Sequence, residues 1–244
     1  MGYEIMNWVM MQLSDSAFPT GGFAHSGGFE AAFQLGEIQG PEGFENFLTQ
    51  ALWQMGYASL PLASAGYMAL DQFSLQLQQG AQHGVQYGSP KSLKDLDELA
   101  DIFLNGHVAN RASRVQGRTF LSACLRSFGT ETLISLSTQI HQEALHLHYA
   151  PVFGAALRTL GIERESMQRL FLHTSLRGII SSAVRLGSIG SYQAQRIQWR
   201  FSSKLDEVLL RCGELQVSDI AQTSPLLDLF QSTQDRLYSK LFQS

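Results

Sequence analysis

Apolar positions along this chain recur with a period near 3.6 residues rather than in alternation. Over residues 42–56 (EGFENFLTQALWQMG), Phe44, Phe47, Leu48, Ala51, Leu52 and Met55 share one face, and Gly56 stands at the natural stop. Residues 92–105 repeat the pattern with Leu93, Leu96, Leu99, Ala100, Phe103 and Leu104, preceded by Ser92 and Asp95 at capping-box spacing. Segments 131–148, 151–160, 163–187 and 191–212 read the same way. The 151–160 segment has Pro151 in its first turn and Gly161 just past its end, the asymmetry that helices favour. No alternating run bounded by turn residues appears, and 34 Leu against 8 Val is the wrong balance for strands. The expectation is an all-α protein: a single helical domain of about eight to ten helices over residues 1–224, then an amphipathic tail over 225–244. Residues 78–90 (QQGAQHGVQYGSP) read as a surface loop within that domain, because the apolar faces on either side need each other for burial.

Composition narrows the classes. With 17 Lys+Arg against 21 Asp+Glu, the net charge of −4 offers no basic excess for a nucleic-acid partner. Cys124 and Cys212 are isolated in sequence, which fits a reducing compartment. No stretch approaches the ~18 apolar residues that a membrane span requires. The start, MGYEIMNWVM, lacks a basic n-region and cleavage site, and Met6 stands where a myristoylation signal carries Ser or Thr. The end, KLFQS, is no prenylation box, so the expected location is the cytoplasm.

Chemistry concentrates in a few places. Residues 14–30 (SDSAFPTGGFAHSGGFE) carry four glycines and a proline, which force a special backbone path. A P-loop is excluded because Phe29 and Glu30, not Lys-Ser or Lys-Thr, follow the last glycine. A nucleophile elbow at Ser26, with His25 and with or without Asp15, would need an upstream strand that residues 14–23 do not supply. The plain alternative is a glycine-rich turn from which a helix starts near Ser26. His141, His146 and His148 fall on one expected helix with spacings unsuited to chelation, and no HExxH exists, so neither metal nor cofactor is expected. Arg111, Arg114 and Arg118, at i, i+3 and i+7, form one stripe that is either a solvated face or a partner contact. Gly117 within that pattern signals close helix approach or a helix break. In the tail, Leu226, Phe230, Leu237 and Leu241 recur at spacings of 4, 7 and 4, with Tyr238 and Phe242 alongside. Such a stripe either packs back on the domain or docks in a partner's groove.

Side by side, these segments resemble the UreF family of urease accessory proteins. Residues 12–34 (QLSDSAFPTGGFAHSGGFEAAFQ) are similar to the family's Asp-x-x-x-Pro-x-Gly-Gly-Phe-x-His-Ser-x-Gly-hydrophobe-Glu signature through Pro19, Gly21, Gly22, His25, Ser26, Gly28 and Glu30. RASRVQGRTFL at 111–121 resembles its Gln-Gly-Arg helix through Gln116 and Gly117. HYAPVFGAALRTLG at 148–161 carries Pro151 of a His-x-x-Pro-Val-x-Gly pattern, and SAVRLGSIGSYQAQ at 182–195 supplies Arg185 and Gly187. SPLLDLFQSTQDRLYSKLF at 224–242 resembles the tail motif, except that Gln234 and Lys240 replace the usual His and Arg. Only residues 57–92 lack such an anchor.

The resemblance implies a non-enzymatic, all-helical homodimer. It would bind a UreD/UreH-type accessory protein, recruit or regulate the UreG GTPase, and so help deliver nickel to the urease apoenzyme. Partner contacts are expected from Arg111, Arg114 and Arg118 and from Leu237, Tyr238, Lys240, Leu241 and Phe242, with the tail weakly ordered until it docks as a helix. The competing classes are a small serine hydrolase using Ser26 and His25, and a helical protein binding a small ligand in its core.

Overall fold

A computed structural model describes residues 3–79 and 92–244, so most of the expected 78–90 loop, and Gly2, lie outside the described residues. Apolar spacing sets the helices, and side-chain caps from Ser92 and Thr130 start α-helices at Leu93 and Glu131. The helices are α1 (Tyr3–Ser14), α2 (Phe29–Gln34), α3 (Gly40–Gln54), α4 (Leu60–Gln79), α5 (Leu93–Phe103) and α6 (His107–Phe128). They continue with α7 (Glu131–Gln142), α8 (Tyr149–Thr159), α9 (Arg164–Arg185), α10 (Ser191–Arg200), α11 (Ser202–Cys212) and α12 (Pro225–Thr233). No strand occurs among the described residues, so the fold is a single all-α domain. The twelve segments among the described residues exceed the eight to ten expected, and they become eleven rods when α3 and α4 are joined through the π-helical turn Met55–Ser59.

That junction corrects one boundary. Gly56 does not stop a helix; it lies inside the π turn, where a Cβ would meet the Cys212 sulfur at 3.1 Å. Close packing of α11, not chain termination, is what needs a glycine there. The capping box on α5 is present as expected: Ser92 Oγ accepts from the Asp95 amide and Asp95 accepts from the Ser92 amide, each at 3.1 Å. Two other helices are shorter than their periodicity. The 191–212 segment breaks at Phe201, whose buried ring turns the corner between α10 and α11. The 131–148 segment ends at Gln142, and Ala144 and Leu147 take positive φ of 54° and 69°.

Helix α8 is the hub, with every residue from Tyr149 to Leu157 buried. It presses so closely on α4 that a Cβ at Gly154 would overlap the Ala63 carbonyl oxygen, which only a glycine avoids. Phe120 of α6 stacks on Phe153 at 4.9 Å, and Phe171 of α9 meets the same ring edge-on at 5.3 Å. Aromatic pairs of this geometry add about 1 kcal/mol beyond their area. α6 runs unbroken through Gly117, which sits against the Leu147–His148 backbone, so the close-approach reading of that glycine holds. No helix among the described residues is long and apolar enough to cross a membrane.

Candidate partner-docking surface

The glycine-rich segment is a turn between α1 and α2, and α2 starts at Phe29 rather than near Ser26. Gly21, Gly27 and Gly28 have φ of 78°, 63° and 86°, a region that side chains disfavour. Gly28 does double service: a Cβ there would also lie 3.1 Å from the Gln231 amide nitrogen of α12. The turn thereby brings α2 against the last helix, and the chain's end folds back over it.

Glu30 holds that end. It is fully buried, and its carboxylate accepts from the Leu241 amide at 2.6 Å and the Phe242 amide at 3.1 Å. Gln234 Nε2 donates to the same carboxylate at 2.5 Å, and Gln34 Nε2 at 3.3 Å. Hydrogen bonds to a charged acceptor contribute about 1.5–3 kcal/mol each, so one carboxylate can fix the strap. Gln234 also donates to the Phe242 carbonyl at 3.2 Å, so its two amide hydrogens serve both sides of the clasp. Beyond Phe242, Ser244 closes the contact: its carbonyl accepts from Ser26 N at 2.5 Å and Ser26 Oγ at 3.0 Å, and its hydroxyl meets His25 Nδ1 at 2.6 Å. Burial, helped by the charge of Arg111, lowers the His25 pKa to about 4, so the ring is neutral at pH 7.

These contacts revise the tail. Of the tail, Pro225–Thr233 is α-helical, Gln234–Arg236 is a 3₁₀ turn, and the chain then continues without helix, bending at 238–239 and 241–242. In the chain by itself the helix of the 225–244 tail goes no further than Thr233, and Glu30, some two hundred positions upstream, claims the Leu241 and Phe242 amides that a longer helix would need internally. Phe242 is 2% exposed, and the Arg185 guanidinium lies over its ring at 4.3 Å from the centre and over the Phe23 ring at 3.6 Å. Phe242 therefore anchors its own domain and is withdrawn from the docking residues. The expectation of a weakly ordered tail gives way with it.

What the clasp leaves outside is a compact surface. Tyr238 and Leu241 are exposed, Leu237 is half-buried, and Lys240 projects beside them. Asp235 gathers two cations and a histidine there: Arg111 Nη2 at 3.0 Å from both oxygens, Lys240 Nζ at 3.2 Å and His107 Nε2 at 3.4 Å. Arg111, foremost, holds the Asp235 carboxyl below its usual range. The arginine stripe of α6 then divides by role. Arg114 is engaged by Asp101, which also accepts from Asn110 at 2.8 Å and contacts His148 Nε2 at 3.0 Å. Arg118 forms no ion pair among the described residues and lines a notch of about 510 Å³ together with Arg111 and Val115. Of the other motif residues, Gln116 packs at Gly22, Pro151 sits in α8 against Gly66, and Gly187 follows α9 with φ 71°.

The hydrolase arrangement does not assemble. Ser26 Oγ is buried and faces the Ser244 carbonyl, while His25 Nδ1 faces Ser244 Oγ, so the two are not paired. Of the three histidines, His141 is on α7 whereas His146 and His148 lie beyond its end, so they do not share a helix. Sequence reasoning missed Asp97, Asp101, Asp235 and Phe23. Asp97 left a signal: it falls on the apolar face of α5 between Leu93 and Ala100, where a carboxylate needs buried partners.

Comparison with known proteins agrees with these motifs. A UreF family profile matches residues 38–202. The chain is 30% identical over 237 residues to urease accessory protein F of Oryza sativa subsp. indica, covering 96% of this chain and 84% of the rice protein. It is also 30% identical over 241 residues to urease accessory protein F of Arabidopsis thaliana, covering 98% and 93%. With urease accessory protein UreF of Trichodesmium erythraeum it shares 27% identity over 236 residues, covering 96% and 94%. The chain belongs to the UreF family.

Proposed function

We propose that this member of the UreF family is a non-enzymatic assembly factor that helps deliver nickel to the urease active site. In this reading it binds a UreD/UreH-type accessory protein, and the pair recruits or regulates the UreG GTPase at the urease apoenzyme. The supporting observation is the clasp: Glu30 and Ser26 hold the tail so that Tyr238, Lys240 and Leu241 project beside Arg111. An exposed tyrosine and leucine rimmed by cations is the composition of an interface core, not of an ordinary solvated end.

Co-purification tests it. Tagged chain co-expressed with a UreD/UreH-type protein should retain that partner, and Tyr238→Ala with Leu241→Ala should reduce the retained amount about tenfold while melting normally. Retention unchanged in that double variant would remove the tail from the interface. Ser26→Ala should still support urease activation, and a hydrolytic activity that this change abolished would end the non-enzymatic reading. The chain acts as a homodimer in this proposal, so light scattering should give twice 27.0 kDa at micromolar concentration.

A further inference from the structure

The other side of the glycine-rich turn bounds a cleft of about 560 Å³, walled by residues 16–27 and by α9 from Thr174 to Arg185. Its electrostatics set it apart. A cleft between α1, α9 and α11 carries Asp206, a neighbouring one carries Glu165 and Glu214, and the notch on α6 carries Asp101. This cleft is lined by Arg177, Arg185 and a neutral His25, and by no carboxylate, in a chain whose net charge is −4. Neither arginine forms an ion pair among the described residues. Arg177 donates to the carbonyls of Ser14 and Asp15, and the Asp15 carboxylate, whose charge it feels, folds back onto the Ala17 amide at 2.8 Å.

Arg185 is the better-defined group. Its guanidinium lies over the rings of both Phe23 and Phe242, and one Nη1–H goes to the Phe23 carbonyl at 2.5 Å. A guanidinium has five N–H donors, so a rigidly held edge remains for the cleft. Ser181, one turn earlier on α9, and Thr174 and Ser175 add hydroxyls, while Phe18, Met55 and Ile179 supply apolar wall. A bare inorganic ion would leave most of this volume empty, and the size is that of a small-molecule site.

We infer that the cleft binds a small organic anion, its phosphate or carboxylate group at the Arg185 edge and its apolar body against Phe18, Met55 and Ile179. Two guanidinium groups that form no ion pair among the described residues, in a walled cleft that no carboxylate lines, concentrate anions, and the planar fork matches either oxyanion. The inference is independent of how the tail meets a partner.

Calorimetric titration of the full chain in low-salt buffer tests it, with phenyl phosphate, benzoate, inorganic phosphate and phenol as probes. An aromatic anion should bind about tenfold more tightly than either inorganic phosphate or phenol. Phenyl phosphate ahead of benzoate assigns a phosphate ligand, and the reverse order a carboxylate; both support the site. Ser181→Asp places a carboxylate one turn from Arg185 and should weaken binding about tenfold, whereas Ser181→Asn should leave it within about twofold. Should Ser181→Asp fail to fold by thermal melting, Ser175→Asp on the same wall carries the same expectation. Absence of binding to either aromatic anion, phenol binding equal to theirs, or indifference to the folded Asp variant would each overturn the proposal.

Discussion

Two buried carboxylates in this protein do the same chemical work on very different segments. Asp97 accepts from the backbone amides of His146, Leu147 and His148 at 2.5, 3.3 and 2.7 Å; Glu30 accepts from those of Leu241 and Phe242. The Asp97 segment leads directly into α8, the hub of the core, and carries Ala144 and Leu147 in positive-φ conformations that cost energy. The Glu30 segment tucks Phe242 and Ser244 in but shows Tyr238, Lys240 and Leu241 to solvent. One carboxylate therefore holds the fold together, whereas the other holds a surface in shape. Identical bonding says little about function until the cargo of each strap is known.

Asp97→Ala gives the largest expected effect. It leaves the amides of His146, Leu147 and His148 without their carboxylate acceptor, the last of them at a buried residue, beside strained backbone, and about 3 kcal/mol of stability should go. Urea unfolding should show one cooperative transition at a much lower midpoint. A loss below about 1 kcal/mol would mean that the 143–148 segment is held by α6 and α8 packing alone, and the comparison would lose its first half.

Glu30→Ala should cost less, about 2 kcal/mol, because Ser26, His25 and Arg185 still grip the strap. Its signature is local. Trypsin should cut faster at Arg236 and Lys240, both exposed, while the helical core survives. If Glu30→Ala instead lowered the whole unfolding transition as far as Asp97→Ala, the two straps would be parts of one cooperative unit. Deletion of residues 231–244 should for the same reason destabilise the free protein, since Phe242 and Gln234 leave buried positions.

Acid distinguishes the regions less sharply, because each contains a histidine that burial keeps neutral, His148 beside Asp97 and His25 beside the clasp. A depressed histidine pKa means that the unfolded chain takes up the proton first. The stability is complete above the ordinary value of 6.5 and is lost as pH falls through the window down to about 4 for His25. By pH 5.5, His25 alone should account for about 1 kcal/mol of that loss. Asp101, held low by Arg114, Asn110 and His148, adds its own loss only below its ordinary 3.8. Ring proton shifts followed by NMR should place the His25 midpoint near 4; a midpoint near 6.5 would mean that water reaches the clasp.

Local pattern made the helices legible and their ends only partly so. The α5 box was readable because capping is settled within four residues. The ends of α7 and of the tail helix were not, because the groups that claim their amides lie on α5 and α2, far away in sequence. The same limit hid the site. Pro19 to Glu30 was recognisable as a motif, but that Glu30 grips residue 241 rather than capping its own helix needs the fold. Phe242 shows the error in its plainest form: an apolar residue near a chain end reads alike whether it faces a partner or its own core.

The smallest effect concerns Lys240, which stands where the tail motif that the sequence resembles would have arginine. At first sight Lys240→Arg should tighten the tail, since a guanidinium can grip a carboxylate with two donors. The geometry argues for little gain. Both Asp235 oxygens already receive Arg111 Nη2 at 3.0 Å, and Lys240 takes one of them at 3.2 Å from a side chain 40% exposed. A second guanidinium would have to share oxygens that are spoken for, and exposed pairs contribute about 0–1 kcal/mol. The expected change in folding stability is therefore within about 0.5 kcal/mol, measured by urea unfolding at low salt. Partner retention should rise no more than about twofold, because the exposed Tyr238 and Leu241 stay where Glu30 puts them. A tenfold gain in retention from that one change would show that residue 240 contacts the partner directly, and would move the centre of the docking surface from the apolar pair to the charge beside it.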